Sequence, residues 1–234
     1  MYCGADALRG YAKDPSAMVR RALADNPEAP ADVLAVLTHD QDPETRSLVA
    51  AHDNADEASL LSLSQDAHGP VRANVAVNPH TPLETLRLLA TDSDPVLRAR
   101  VARNQLCSIA ILQGLLDDES VVVQRAVASH PLAPTELLSR LATDTDEGVR
   151  GGVAGNPHAP GSVLVQLMLD PELGLALAEN PAAPPEVLEY LAAQVARDDF
   201  EGSYYDERSD LIATIADNPN TPAHVLSALP QADY

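Results

Sequence analysis

A period of 26 residues runs through this chain and constrains its fold more tightly than any local propensity. The unit is clearest at 78–103, NPHTPLETLRLLATDSDPVLRARVAR. Stepping by 26 from Asn78 lands on Asn104, His130 and Asn156 in one direction and on His52 and Asn26 in the other. A fixed period of this length means that each copy is one supersecondary unit, able to bury its apolar side only against its neighbours.

Within a copy the spacing predicts two short helices. At 78–103, Thr81 is placed to cap the first helix, Pro82 to open it and Glu84 to complete a capping box. Leu86 and Leu89 then share a buried stripe, which the polar run Thr91-Asp92-Ser93 interrupts. Asp94 supplies a second cap and Pro95 a second opening, for a helix that turns Leu97, Val101 and Ala102 inward and ends at Asn104. The first-helix leucine recurs from Leu8 and Leu34 through to Leu188 and Leu226, and a second apolar residue, such as Leu37 or Leu63, follows three positions on. Pairs such as Val49-Ala50, Val75-Ala76 and Val153-Ala154 recur in the second helix, and the constant Ala implies close helix approach. These columns amount to nine first helices and eight second helices. Each is too short to be stable alone in water, so stacking must supply the stability. The expected fold is all-α, one repeat domain over 1–234 with about eight to nine copies.

The departures from the period are as informative as the copies. Residues 1–26 lack the Asn-Pro turn and are expected to form a terminal cap. In the copy at 52–77, HDNADEA replaces NPxxP, which predicts a poorly started first helix. Gln124 stands where other copies have Arg, and Gly148, Gly151, Gly152 and Gly155 are expected to weaken one second helix. The copy from Asn156 is two residues short and has Gly174 in place of the Arg. The next carries 12 extra residues near 194–207, within AAQVARDDFEGSYYDERSD. Insertions in repeat arrays map to loops on one face, often a binding face.

The pattern N-P-x-x-P-x-x-x-L-x-x-L-A followed by D-x-D-P-x-V-R-x-x-V-A resembles the leucine-rich repeat variant family over essentially the whole chain. The resemblance implies a superhelical α-solenoid of alternating short helices, one of the two allowed a 3₁₀ character, with no sheet. The D-x-x-x-V-R segment is also similar to HEAT-type repeats, in which Asp and Arg form a hydrogen-bonded ladder. On that reading Arg20, Arg46, Arg72, Arg98 and Arg150 pair with Asp14, Asp40, Asp66, Asp92 and Asp144 six residues earlier, or with the neighbouring copy's Asp. A member of the family carries a cysteine-ligated iron–sulfur cluster ahead of its repeats. Here only Cys3 lies near the N-terminus, so the cluster does not carry over.

Composition narrows the function. A net charge of −20, from 35 acidic against 15 basic residues, opposes binding to nucleic acid phosphate and to anionic membranes. Aromatics are 3% of the chain with no Trp, so stacking platforms for single strands are nearly missing. Cys3 and Cys107 form no CxxC motif, no apolar run approaches a membrane span, and MYCGADALRG does not read as a secretory leader. The expected location is the cytoplasm. His52 and His130 occupy the Asn position of the turn, and no HxxxH or HExxH is present, so turn capping is expected of them rather than metal binding. Cys107 is expected to be semi-buried filler. Asp198, Asp199, Glu201, Asp206, Glu207 and Asp210 lack EF-hand spacing and are read as loop charge.

The function expected is non-enzymatic: an extended repeat surface that binds another protein, with no cofactor and no metal. The candidate contacts are Arg100, Arg103 and Arg125, on second helices of adjacent copies, and Phe200, Tyr204 and Tyr205 in the insertion. Two other classes compete. A HEAT-like nucleic-acid binder, or an enzyme similar to the DNA glycosylases, needs a concave basic groove. An iron–sulfur or other metal-associated repeat protein needs both cysteines and some histidines to converge.

Overall fold

The computed structural model describes residues 5–197 and 205–230. All regular structure among them is helical. In chain order the helices are α1 (Ala5–Tyr11), α2 (Ala17–Ala24), α3 (Ala31–Leu37), α4 (Pro43–Ala51), α5 (Glu57–Leu63), α6 (Gly69–Val77), α7 (Leu83–Leu89), α8 (Pro95–Arg103) and α9 (Ile109–Leu115). There follow α10 (Val121–Ala128), α11 (Thr135–Leu141), α12 (Glu147–Ala154), α13 (Gly161–Leu167), α14 (Gly174–Glu179), α15 (Pro185–Val195), α16 (Tyr205–Asp217) and α17 (Ala223–Ala228). Odd numbers are first helices and even numbers second helices, nine and eight among the described residues, as the columns require. Both kinds are α-helical. The single 3₁₀ turn among the described residues, Pro171–Leu173, lies where its copy is two residues short.

By internal packing the chain divides into two compact units, Met1–Leu115 and Leu116–Tyr234. In the first, α2, α4, α6 and α8 stack on one another in sequence; in the second, α10, α12, α14 and α16 do the same. The Val–Ala pairs explain this. Val49, Ala50, Val75, Ala76, Val101 and Ala102 in the first unit, and Val127, Ala128, Val153 and Ala154 in the second, are all fully buried. An Ala at the point of closest approach lets two helix backbones come together, and the Val beside it fills the space that remains. First helices bury their leucines inward, Leu34, Leu60 and Leu86 in one unit and Leu138, Leu164 and Leu188 in the other. Each such side chain contributes about 1.5–3 kcal/mol on burial. Leu226 of the same column is exposed in α17, because no later described helix covers it.

Several local expectations are corrected. Thr81 does not cap α7. Pro82 occupies the N-cap position with extended backbone, as Pro30, Pro134, Pro160, Pro184 and Pro222 do for their helices. Thr81 is fully buried, and its hydroxyl donates backward at 2.6 Å to the Val75 carbonyl, one of the last four of α6, which also accepts from the Asn78 N–H at 3.2 Å. Glu84 completes no capping box and lies 3.7 Å from Arg87 instead. The copy at 52–77 is well started, because Asp56 accepts from the Ser59 N–H at 2.8 Å and α5 forms in full. Among the second helices Asp94 caps α8 with its carboxylate as expected, and Asp42 and Asp146 do the same for α4 and α12, whereas Ser16, His68 and Ser120 make no side-chain cap bond. Part of the 12-residue insertion is taken up by lengthening its flanking helices, α15 to 11 residues and α16 to 13. Arg208 joins them, donating to the Val195 carbonyl from two guanidinium nitrogens at 3.0 and 2.6 Å.

Candidate functional site

The ladder forms, and Arg20, Arg46, Arg72 and Arg150 each make both of the connections the spacing allowed. In the first unit Arg46 places Nε and Nη2 on the Asp66 carboxylate at 2.6 and 3.0 Å, while Nη1 donates to the Asp40 carbonyl at 2.7 Å. Arg72 does the same with Asp92 at 2.7 and 3.1 Å and with the Asp66 carbonyl at 2.9 Å. Arg20 bridges the Asp40 carboxylate and the Asp14 carbonyl, and Arg98 holds the Asp92 carbonyl. So the carboxylate partner belongs to the next copy, and the residue six earlier contributes its backbone. The planar guanidinium suits both tasks, since its fork matches a carboxylate while the third nitrogen stays free to donate elsewhere. Each ladder Asp is held in place by a turn of its own: Asp66 accepts from the His68 N–H at 2.8 Å and Asp92 from the Asp94 N–H at 2.9 Å. Burial pushes the Asp66 carboxyl up, but hydrogen bonds from Arg46 and from that backbone N–H outweigh it, and the carboxyl lies below the usual range. Asp92 lies below it chiefly because of Arg72.

In the second unit the rung of Arg150 is complete, while Gln124 and Gly174 stand where the ladder Arg would be, and the rung at Gln124 leaves a carboxylate behind. Arg150 joins the Asp170 carboxylate at 2.7 Å to the Asp144 carbonyl at 3.0 Å. Gln124, one copy earlier, donates from Nε2 to the Asp118 carbonyl at 3.0 Å, reproducing the backbone half of a rung, and its side chain ends there. Asp144 is oriented as its counterparts are, accepting from the Asp146 N–H at 2.8 Å, yet its carboxylate meets no cation among the described residues. A cleft of about 290 Å³ opens at this point, lined by Gln124, Asp144, Thr143, Thr145, Leu116 and the ion pair of Arg140 with Asp117.

A second column ties the copies together through their turns. Asn78 is buried; its Nδ2 donates to the carbonyls of Ala50 at 2.9 Å and His52 at 3.2 Å, and its Oδ1 accepts from the His80 N–H at 2.9 Å. Asn104, Asn156, Asn180 and Asn218 repeat the arrangement. His52 fills the same place with a ring: Nε2 lies 2.9 Å from the Asn26 carbonyl and Nδ1 accepts from the Asn54 N–H at 2.9 Å. With Nδ1 accepting, Nε2 is the nitrogen left to donate to that carbonyl.

The candidate contact residues fare differently from one another. Arg103 is exposed and Arg100 half-buried on α8, both without a hydrogen-bond or ion-pair partner among the described residues. Arg125 is engaged, with Nε and Nη2 both at 2.8 Å from the Asp146 carboxylate. Two of the glycines read as weakening α12 have packing reasons. A Cβ at Gly148 would run into the Arg125 guanidinium, and one at Gly152 would lie 2.9 Å from the Ala128 Cβ where α10 and α12 meet. Phe200 and Tyr204 lie outside the described residues; Tyr205 begins α16, but its side chain is outside them too. The same holds for the insertion's acidic side chains up to Glu207. Cys107 is buried, and burial pushes its thiol up to about 11. Among the described residues no group of three His, Cys, Asp or Glu could hold a metal, and no helix is long and apolar enough to cross a membrane.

The missing rung was half legible in the sequence. Gln124 stands out as a departure from the Arg column, but the position of the Asp it leaves behind depends on how copies stack. The sequence model of the leucine rich repeat variant family matches residues 71–94 and 147–172. Those segments hold Arg72, Asn78, Thr81 and Asp92 in one case and Arg150, Asn156 and Asp170 in the other, the residues that build both columns. A search of curated proteins gives no match. Among solved structures the chain is similar to one described as a leucine-rich repeat variant with a novel repetitive protein structural motif, with a TM-score of 0.62 and 27% identity over 91% of this chain and 81% of that one. With the family's pattern in two matched segments and this likeness along nearly all its length, the chain is an α-helical repeat protein similar to the leucine-rich repeat variant family.

Proposed function

We propose that the chain is a non-enzymatic scaffold that binds another protein through side chains presented by successive repeats. The observation that carries this is a contrast between columns. Positions inside are nearly constant, while exposed positions change from copy to copy. In the first unit one exposed column reads Asp25, Ala51, Val77, Arg103 and another Glu28, Asn54, His80, Leu106. A fold that needs only its interior columns leaves the exposed ones open to a partner's shape and charge. Arg100, Arg103 and Arg125 on second helices, with Phe200, Tyr204 and Tyr205 in the insertion, are the contacts we assign to that role. Aromatic and Arg side chains are the types most often found at the energetic centre of interfaces.

The test uses the full chain, a variant lacking residues 198–206 and the double variant Arg100→Glu/Arg103→Glu as baits in lysate of the native organism. Captured proteins are identified by mass spectrometry and rebound in purified form. A protein that binds the full chain and is lost from either variant supports the reading and shows which surface it uses. Three folded baits that hold nothing above background would overturn it.

A further inference from the structure

We propose that the missing rung in the second unit is a socket for the guanidinium group of an arginine on a partner protein, an inference that rests on the scaffold reading above. The chain itself displays the ligand. Four rungs, Arg20–Asp40, Arg46–Asp66, Arg72–Asp92 and Arg150–Asp170, show what this carboxylate position takes: a guanidinium approaching with Nε and a terminal nitrogen. At the fifth position the carboxylate is present and pre-oriented, with Asp144 Oδ1 fixed by the Asp146 N–H at 2.8 Å, and only the guanidinium is missing. Gln124 satisfies the Asp118 carbonyl and reaches no further.

The space left over is large enough. A cleft of about 290 Å³ far exceeds the room a single water needs and admits a guanidinium with part of its methylene stem. Leu116 and Leu141 offer apolar wall to the stem, and Thr143 and Thr145 lie beside the head. The other charges there cancel, because Arg140 is already paired with Asp117, and Asp144 is the lining acid without a cation. A net charge of −20 adds long-range attraction for any basic partner. Planarity makes the site selective. Two parallel N–H···O bonds to a carboxylate fit a guanidinium and not an ammonium, which binds as a point charge.

The test titrates the isotope-labelled full chain with N-acetyl-arginine methylamide, alongside the corresponding citrulline and lysine derivatives, and follows amide shifts by NMR. Saturable binding of the arginine probe in the millimolar range is expected, centred on Asp144, Thr145 and Asp146 and about tenfold tighter than for either control. Gln124→Arg should abolish it by filling the socket from within, and Asp144→Asn by removing the acceptor. A raised Tm for Gln124→Arg would show that this variant is folded with its rung made. Equal binding of the three probes, or arginine binding that survives Gln124→Arg in a folded chain, would overturn the socket. To decide the source of the guanidinium, the Gln124→Arg chain is run as a bait beside the full chain. At least tenfold loss of one captured protein places the arginine on that partner. If the probe binds but every captured protein is held equally by both baits, the partner assignment is overturned and the cation site stands on its own. If no bait captures anything, the scaffold reading fails separately.

Discussion

Replacing Asn78 by Ala removes a buried side chain whose whole polar capacity is engaged. Its two Nδ2 bonds satisfy the carbonyls of Ala50, near the end of α4, and of His52, while its Oδ1 holds the His80 N–H in the turn before α7. Ala50 is fully buried and Asn78 is 2% exposed, so water does not readily take over these bonds. A net hydrogen bond contributes about 1 kcal/mol, and a buried group left without a partner costs about 1–3 kcal/mol. Loss of three bonds therefore predicts destabilisation of about 3 kcal/mol or more. Asn78→His is the control that the chain itself provides, because His52 does the same work one copy earlier through Nε2 and Nδ1. It forfeits only the bond to the Ala50 carbonyl and should cost about 1 kcal/mol. Urea unfolding near pH 7.5, where an unperturbed imidazole is neutral, measures both, with an unchanged m value showing that the midpoint shift reports stability. A cost below about 1 kcal/mol for Asn78→Ala, or equal costs for the two variants, would refute the assignment of this column as the hydrogen-bonded tie between copies.

Other outcomes follow from the same geometry. Gly152→Ala gains helix propensity of about 1 kcal/mol but forces a Cβ to 2.9 Å from both the Ala128 Cβ and the Ser129 Oγ, so overpacking should win and the urea midpoint should fall. Gly155→Ala meets only the Gly151 carbonyl at 3.5 Å and should be neutral or stabilising; reversal of this order would count against the close α10–α12 contact. Asp66 and Asp92 lie below the ordinary Asp value of 3.8 and Asp146 is lowered to about 2, the last mainly by Arg125. Lowered folded values stabilise the fold above pH 3.8 and lose that contribution as pH falls toward 2. The Tm should therefore drop across that interval, less steeply in Asp66→Asn, and an equal slope in the variant would refute the role of that pair. In a Cys3→Ser background Cys107, 1% exposed with its thiol pushed up to about 11, should resist a thiol reagent until the chain unfolds; rapid labelling of the native chain would contradict its burial.

Periodicity by itself determined the helix count, the alternation of first and second helices and nearly all of the core, because burial in a repeat depends on spacing within one copy. It also named the ladder residues. Only the tertiary structure decided how they connect: that Arg46 takes the carboxylate of Asp66 and the carbonyl of Asp40, that Thr81 serves the helix behind it, and that the His52 ring reaches back to the Asn26 carbonyl. Gly148 and Gly152 look like helix weaknesses along the chain and become packing devices across it, where Arg125 reaches Asp146 and α10 meets α12. The same distinction governs the candidate site. Gln124 is a visible substitution in a column, but a vacant carboxylate 20 residues later exists only once stacking has brought the two copies together. Contacts made within a copy repeat with its sequence, whereas those made between copies depend on the distance and angle at which two helices pack, and no single copy encodes these.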